Sequence, residues 1–156
     1  MQPVAVIGLS TLFPGASDPN TFWENLVAGN DSRVEVGPQQ MDVDPNRFYD
    51  PKKGTLDRYY CMRGGYIKDF ELDPDGFALD SQIINNLDVV HQWTLYVARE
   101  ALRDGGHLQK KDLLQKCGLI LGNLSFPTRS SNHYLLPLYQ KAYEKQLSRL
   151  LNDPNF

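Results

Sequence analysis

Cysteine is scarce in these 156 residues, and the two present, Cys61 and Cys117, stand too far apart for a metal-ligand spacing or a disulfide framework. They are expected to be buried structural thiols in a reducing compartment rather than nucleophiles, since no histidine adjoins either in sequence. Histidine is scarce too. His91, His107 and His133 make no pair at helical or strand spacing, so no metal site is expected. His91 is expected as a partly buried packing residue on a helix, His107 at a helix end and His133 near a helix start, none of them in direct chemistry. Positive charge of the kind that grips nucleic acid is missing: the net charge is −3, and Lys and Arg are scattered apart from the pairs Lys52-Lys53 and Lys110-Lys111. No apolar run approaches a membrane span, and no basic region with an apolar signal core opens the chain, so a cytoplasmic location is expected. Internal repeats and low-complexity tracts are absent.

The residues present are those of an ordinary globular segment, 41% hydrophobic, long enough for one core. Val4-Ala5-Val6-Ile7 ending at Gly8 has the composition of a central strand in an α/β sheet covered on both faces. A dinucleotide site would need further glycines close behind Gly8 to let backbone amides reach a pyrophosphate. Leu9 to Phe13 supply none, which disfavours a nucleotide-binding module.

Periodicity and turn residues place the remaining elements. A strand is expected over residues 3–9 and a helix over 19–28, capped by Asp18, opened by Pro19 and ended by Gly29, with Phe22, Trp23 and Leu26 on its apolar face. A long loop reaches about residue 58, and a short strand covers 64–68. A helix over 87–104 carries a stripe of Val90, Trp93, Val97 and Ala101, with His91 and Leu102 beside it, suited to packing on a sheet. A brief helix at 110–115, a strand at 117–121 and a last helix over 133–151 complete the reading. That helix carries a stripe of Leu135, Leu138, Tyr139, Ala142, Tyr143, Leu147 and Leu150. Pro137 would break a helix interior, so the helix is expected to begin at about Leu136.

The order of motifs is more specific than any one of them. Val4 to Gly8 followed by Phe13-Pro14-Gly15-Ala16, then Phe22-Trp23-Glu24-Asn25-Leu26 leading to Gly29-Asn30-Asp31, resembles the start of the β-ketoacyl synthases, the condensing enzymes of fatty-acid and polyketide synthesis. Tyr49-Asp50-Pro51, Arg63-Gly64-Gly65-Tyr66, Leu72 to Leu79, the helix from Leu87 to Gly106, and Cys117-Gly118-Leu119-Ile120-Leu121-Gly122 continue that resemblance over nearly the whole chain. Two departures from the usual pattern, Val89-Val90-His91-Gln92 and Gly122-Asn123-Leu124-Ser125-Phe126-Pro127-Thr128-Arg129, are similar to the branch found in polyunsaturated-fatty-acid and heterocyst-glycolipid synthases.

The resemblance implies an α/β fold, the N-terminal half of a thiolase-like (β-ketoacyl synthase) fold left incomplete, with residues 1–156 as one region truncated before the nucleophile motif. It implies a decarboxylative Claisen condensation of acyl and malonyl thioesters on acyl carrier protein, by a transferase that is a homodimer when complete. No cofactor is implied. The family's nucleophilic cysteine and its two histidines lie in later motifs that this chain lacks, so no catalytic residue is assigned and the chain alone is expected to be inactive. A non-catalytic partner subunit of the chain-length-factor type is the alternative. Asn123, Phe126 and Arg129 lie in a loop that can line a substrate pocket at the carboxyl edge of the sheet, Phe126 as an apolar gate and Arg129 toward a phosphate or a partner acid. The same residues equally fit an ordinary connection with a solvated arginine. Strands that a whole domain would bury are expected to be uncovered in this chain, making it prone to self-association.

Overall fold

The computed structural model describes residues 3–124 and 128–152, and of Arg129 only the backbone. The chain falls into two compact units, Met1–Asp73 with Trp93–Leu114, and Pro74–Gln92 with Gln115–Phe156.

In the first unit, residues 3–12 form no strand among the described residues, and Val4, Val6 and Ile7 lie open, Val4 at 98% exposure. The run has strand composition, but a strand exists only through a ladder with a neighbour, and the described residues offer it none. It is held instead against the end of helix α4 (Val89–Asp104), where Leu9 N–H donates to Asp104 Oδ2 at 2.9 Å. Gly8 permits this crossing. A Cβ there would overlap the Ala101 carbonyl and lie 2.7 Å from the Gly105 amide nitrogen, so backbone meets backbone.

The Phe13-Pro14-Gly15-Ala16 motif then folds as a tight turn, with Phe13 N–H donating to Ala16 O at 2.7 Å and Ala16 N–H to Phe13 O at 3.0 Å. Proline sets the first corner, and Gly15 takes φ 75° at the second, the positive value that a type II turn demands. Helix α1 (Pro19–Ala28) follows with the expected bounds. The Asp18 carboxylate accepts from the amides of Asn20 and Thr21 at 2.9 and 3.0 Å, and Gly29 closes the helix at φ 67°. Phe22 meets Phe13 with ring centroids 4.7 Å apart, whereas Trp23 and Leu26 of the expected apolar face remain exposed.

Strands β1 (Arg33–Glu35) and β2 (Arg63–Gly65) form an antiparallel pair, with Val34 opposite Gly64; a strand was expected over 64–68, whereas β1 falls in the stretch expected as loop. The intervening stretch, expected as loop, contains α2 (Pro38–Met41) and a 3-10 turn at Pro45–Phe48 capped by Asp44. Local side-chain bonds organise it: Tyr59 O–H donates to the carbonyl of buried Pro45, and Asp31 receives Arg33 through two bonds of 2.9 Å and Arg63 at 3.1 Å. Within α4, Trp93, Val97, Ala101 and Leu102 are half-buried as their spacing requires, while the most buried residue of the helix is a charged one, Arg99. Its guanidinium bonds Glu100 at 3.0 Å and the Asp73 carbonyl at 2.7 Å. Tyr96 packs edge-on against Phe70 at 5.0 Å and donates to the Ser17 carbonyl at 2.8 Å. A short helix α5 (Lys111–Leu114) falls where one was expected.

In the second unit, α3 (Ser81–Asn85), capped by Asp80, buries Ile84 completely. The expected strand at 117–121 is again irregular chain without pairing among the described residues, and Ile120 is 97% exposed. Helix α6 (Arg129–Leu151) begins earlier than Leu136, and Pro137 lies inside it. Thr128 supplies a cap ahead of the proline, so the helix starts there and passes through Pro137 without that residue's N–H bond. Leu138, Tyr139, Tyr143 and Leu150 of its apolar stripe are exposed rather than packed on a sheet. Three further expectations of burial fail for the same want of covering layers. Cys61, Cys117 and His91 are all exposed. No described helix is long and apolar enough to cross a membrane.

Candidate functional site

Of the residues expected to bind substrate, Asn123 is exposed in the irregular segment before α6, and Phe126 lies outside the described residues. Arg129 is the first residue of α6, its backbone set directly after the capping threonine. What the structure adds is the carboxylate that holds this helix start. Asp88 precedes α4, and its Oδ1 accepts from the Val90 amide at 3.0 Å while its carbonyl accepts from His91 and Gln92 at 2.9 and 3.1 Å. The other oxygen, Oδ2, accepts the Thr128 hydroxyl at 2.6 Å. Thr128 Oγ1 in turn accepts from the Ser131 amide at 3.1 Å, and its carbonyl receives the Asn132 amide at 2.9 Å. One carboxylate therefore satisfies an orphan donor at the start of α4, the Val90 amide, and orients the hydroxyl that caps α6.

The electrostatics follow from those donors. The Thr128 hydroxyl holds the Asp88 carboxyl below the ordinary carboxylate range, burial opposes it, and the Val90 amide, the Ser130 hydroxyl and the charge of His91 add to the lowering. An aspartate so held is an acceptor at neutral pH and no proton donor, so its chemistry is positional. Neither Asp88 nor Thr128 stands out as a site residue in the sequence. A signal is present all the same, since an Asp or Thr directly before a periodic helical run is the pattern of an N-cap.

The histidines and cysteines do not converge. Cys61 Sγ faces the Arg63 carbonyl at 3.5 Å, and among the described residues neither cysteine has a histidine as hydrogen-bond partner. His107 Nδ1 lies 3.1 Å from Lys110 Nζ, and His133 is exposed in the first turns of α6. Among the described residues no group of three His, Cys, Asp or Glu side chains is placed to hold a metal ion. Beyond the cap, α6 carries a groove of about 530 Å³ lined by Leu135, Leu136, Tyr139, Tyr143 and Leu147 together with the polar Asn132, Gln140 and Glu144.

Against known proteins, the family model described as β-ketoacyl synthase, N-terminal domain, matches residues 1–152. A polyunsaturated fatty acid synthase polypeptide of Thraustochytrium sp. is 29% identical over 147 residues, which are 94% of this chain and 5% of that protein. A mycocerosic acid synthase-like polyketide synthase of Mycobacterium tuberculosis is 32% identical over 124 residues, 78% of this chain and 6% of that one. Among solved structures, the PfaC Keto synthase-Chain length factor superposes with a TM-score of 0.80 at 44% identity, over 92% of this chain and 15% of that chain. The chain thus spans a small fraction of the length of the relatives it matches.

Proposed function

Because this chain belongs to the β-ketoacyl synthase family, within its N-terminal domain and thiolase-like fold, we propose that it serves a decarboxylative Claisen condensation of acyl and malonyl thioesters borne on acyl carrier protein. The observation that carries the reading is the match of the β-ketoacyl synthase N-terminal model over residues 1–152. In the reaction, a cysteine thiolate takes the acyl group and expels the carrier thiol. Loss of carbon dioxide from the malonyl thioester leaves an enolate, which attacks the acyl carbonyl, forming the carbon–carbon bond and releasing the thiolate. The reading assigns that cysteine and two histidines to sequence following Phe156, and gives this half the substrate-lining residues Asn123, Phe126 and Arg129. Acidic carrier proteins suit a basic contact such as Arg129. The complete domain is a homodimer in this reading, or pairs with a related subunit.

A second reading, a non-catalytic subunit of the chain-length-factor type, is favoured by one observation: the matching solved structure is named for a chain length factor as well as for a keto synthase. Incubating the synthase polypeptide that carries this chain with acyl- and malonyl-loaded carrier protein distinguishes them. Release of carbon dioxide together with a β-ketoacyl product supports the first reading. Absence of product, with a separate active synthase retained on co-purification, supports the second and sinks the first.

A further inference from the structure

We propose that Asp88, acting through Thr128, is the positioning residue for the substrate-binding end of α6, an inference that rests on the condensing reading above. Thr128 immediately precedes Arg129, and two of its hydrogen bonds decide where that helix begins. It accepts from the Ser131 amide at 3.1 Å and donates to Asp88 Oδ2 at 2.6 Å. A hydroxyl has one hydrogen, and the carboxylate takes it. The lone pair is thereby left facing the helix amide, which makes the cap directional rather than one of several rotamers. Asp88 is itself immobilised from the other side, because its Oδ1 and its carbonyl are occupied by the first amides of α4. Ser131 locks the same turn through its hydroxyl, which donates to the Thr128 carbonyl at 2.9 Å. The start of α6 is therefore pinned to the start of α4, 40 residues away in sequence, by one short charge-assisted bond. The backbone of Arg129 inherits that placement, so loss of the pin moves a binding residue without touching the reacting atoms.

Thr128→Val in the complete synthase removes both bonds at nearly constant volume, and Thr128→Ser restores them. The expected result for Thr128→Val is faster hydrogen exchange at the Ser131 amide, a KM for acyl-carrier substrate raised roughly tenfold and an unchanged kcat, with both effects reversed in Thr128→Ser. Asp88→Ala, which keeps the threonine, is expected to raise KM in the same direction. An active wild type whose KM is indifferent to Thr128→Val and Asp88→Ala overturns this inference and leaves the condensing reading standing. A fall in kcat at constant KM overturns it as well. A wild type that forms no β-ketoacyl product overturns the condensing reading and this inference with it.

Discussion

Arg99 shows how much a single residue carries in the first unit. At 6% exposure it is a buried charge, tolerable because Glu100 and the Asp73 carbonyl occupy its donors. Arg99→Ala takes a partner from Glu100 and from a backbone carbonyl, and is expected to cost about 3 kcal/mol of stability, read from urea unfolding of the synthase. Arg99→Lys rescues little of this, because one ammonium cannot span the two directions of the guanidinium fork. An Arg99→Ala midpoint equal to wild type would contradict the assignment. Asp88 makes a prediction of a different kind. Its folded carboxyl is lowered below the ordinary aspartate value of 3.8, so the stabilisation it gives is complete above that pH and is lost as pH falls through the lowered folded value. Thr128→Val is therefore expected to move the Asp88 titration upward, measurable by NMR of the side-chain carboxyl. A titration that stays where it was would show that the hydroxyl is not the cause.

Among the elements, α1 is legible to the residue, since Asp18, Pro19 and Gly29 act locally and need nothing from the rest of the chain. Asp18→Ala is expected to destabilise that helix by about 1 kcal/mol, with Asp18→Asn close to neutral, as measured by amide exchange across residues 20–25. Equal protection in all three proteins would refute the cap. Helix α6 starts well before the point Pro137 suggests, because the cap at Thr128 outweighs the proline. A proline inside a helix costs up to about 3 kcal/mol relative to alanine, and 23 residues of helix sustain that loss. Pro137→Ala is accordingly expected to raise helicity and slow exchange around His133, by circular dichroism and hydrogen exchange, and no change in either would count against an intact helix through that point.

For the whole molecule, the decisive feature is apolar chain without cover. Val4 at 98%, Val6 at 86%, Leu119 at 68% and Ile120 at 97% exposure belong to two runs of strand composition that find no ladder partner among the described residues. Unpaired strand-like chain with apolar side chains on both faces recruits other chains. The 156-residue chain by itself is expected to sediment as oligomers or aggregate, and Val6→Lys with Ile120→Lys to shift it toward monomer in sedimentation velocity. A sharply melting monomer without those substitutions would remove the argument.

The sequence by itself determined the family, because the ordered motifs from Val4 to Gly122 are linear features, and it determined the locally encoded parts: the capped helix α1, the Phe13–Ala16 turn and the helical spacing of the apolar stripe of α4. Gly8 was legible as a glycine that ends an apolar run, but not as the point where that run crosses the Ala101 carbonyl. Asn123, Phe126 and Arg129 stand out by residue type and position in the loop. The pin that places the third of them does not, because Asp88 and Thr128 are 40 residues apart and neither signals the other in the linear order. Burial was decided only in three dimensions. A thiol, a histidine or a leucine stripe carries the same signature whether or not another layer lies over it, and only the tertiary structure left Cys61, Cys117, His91 and the face of α6 open.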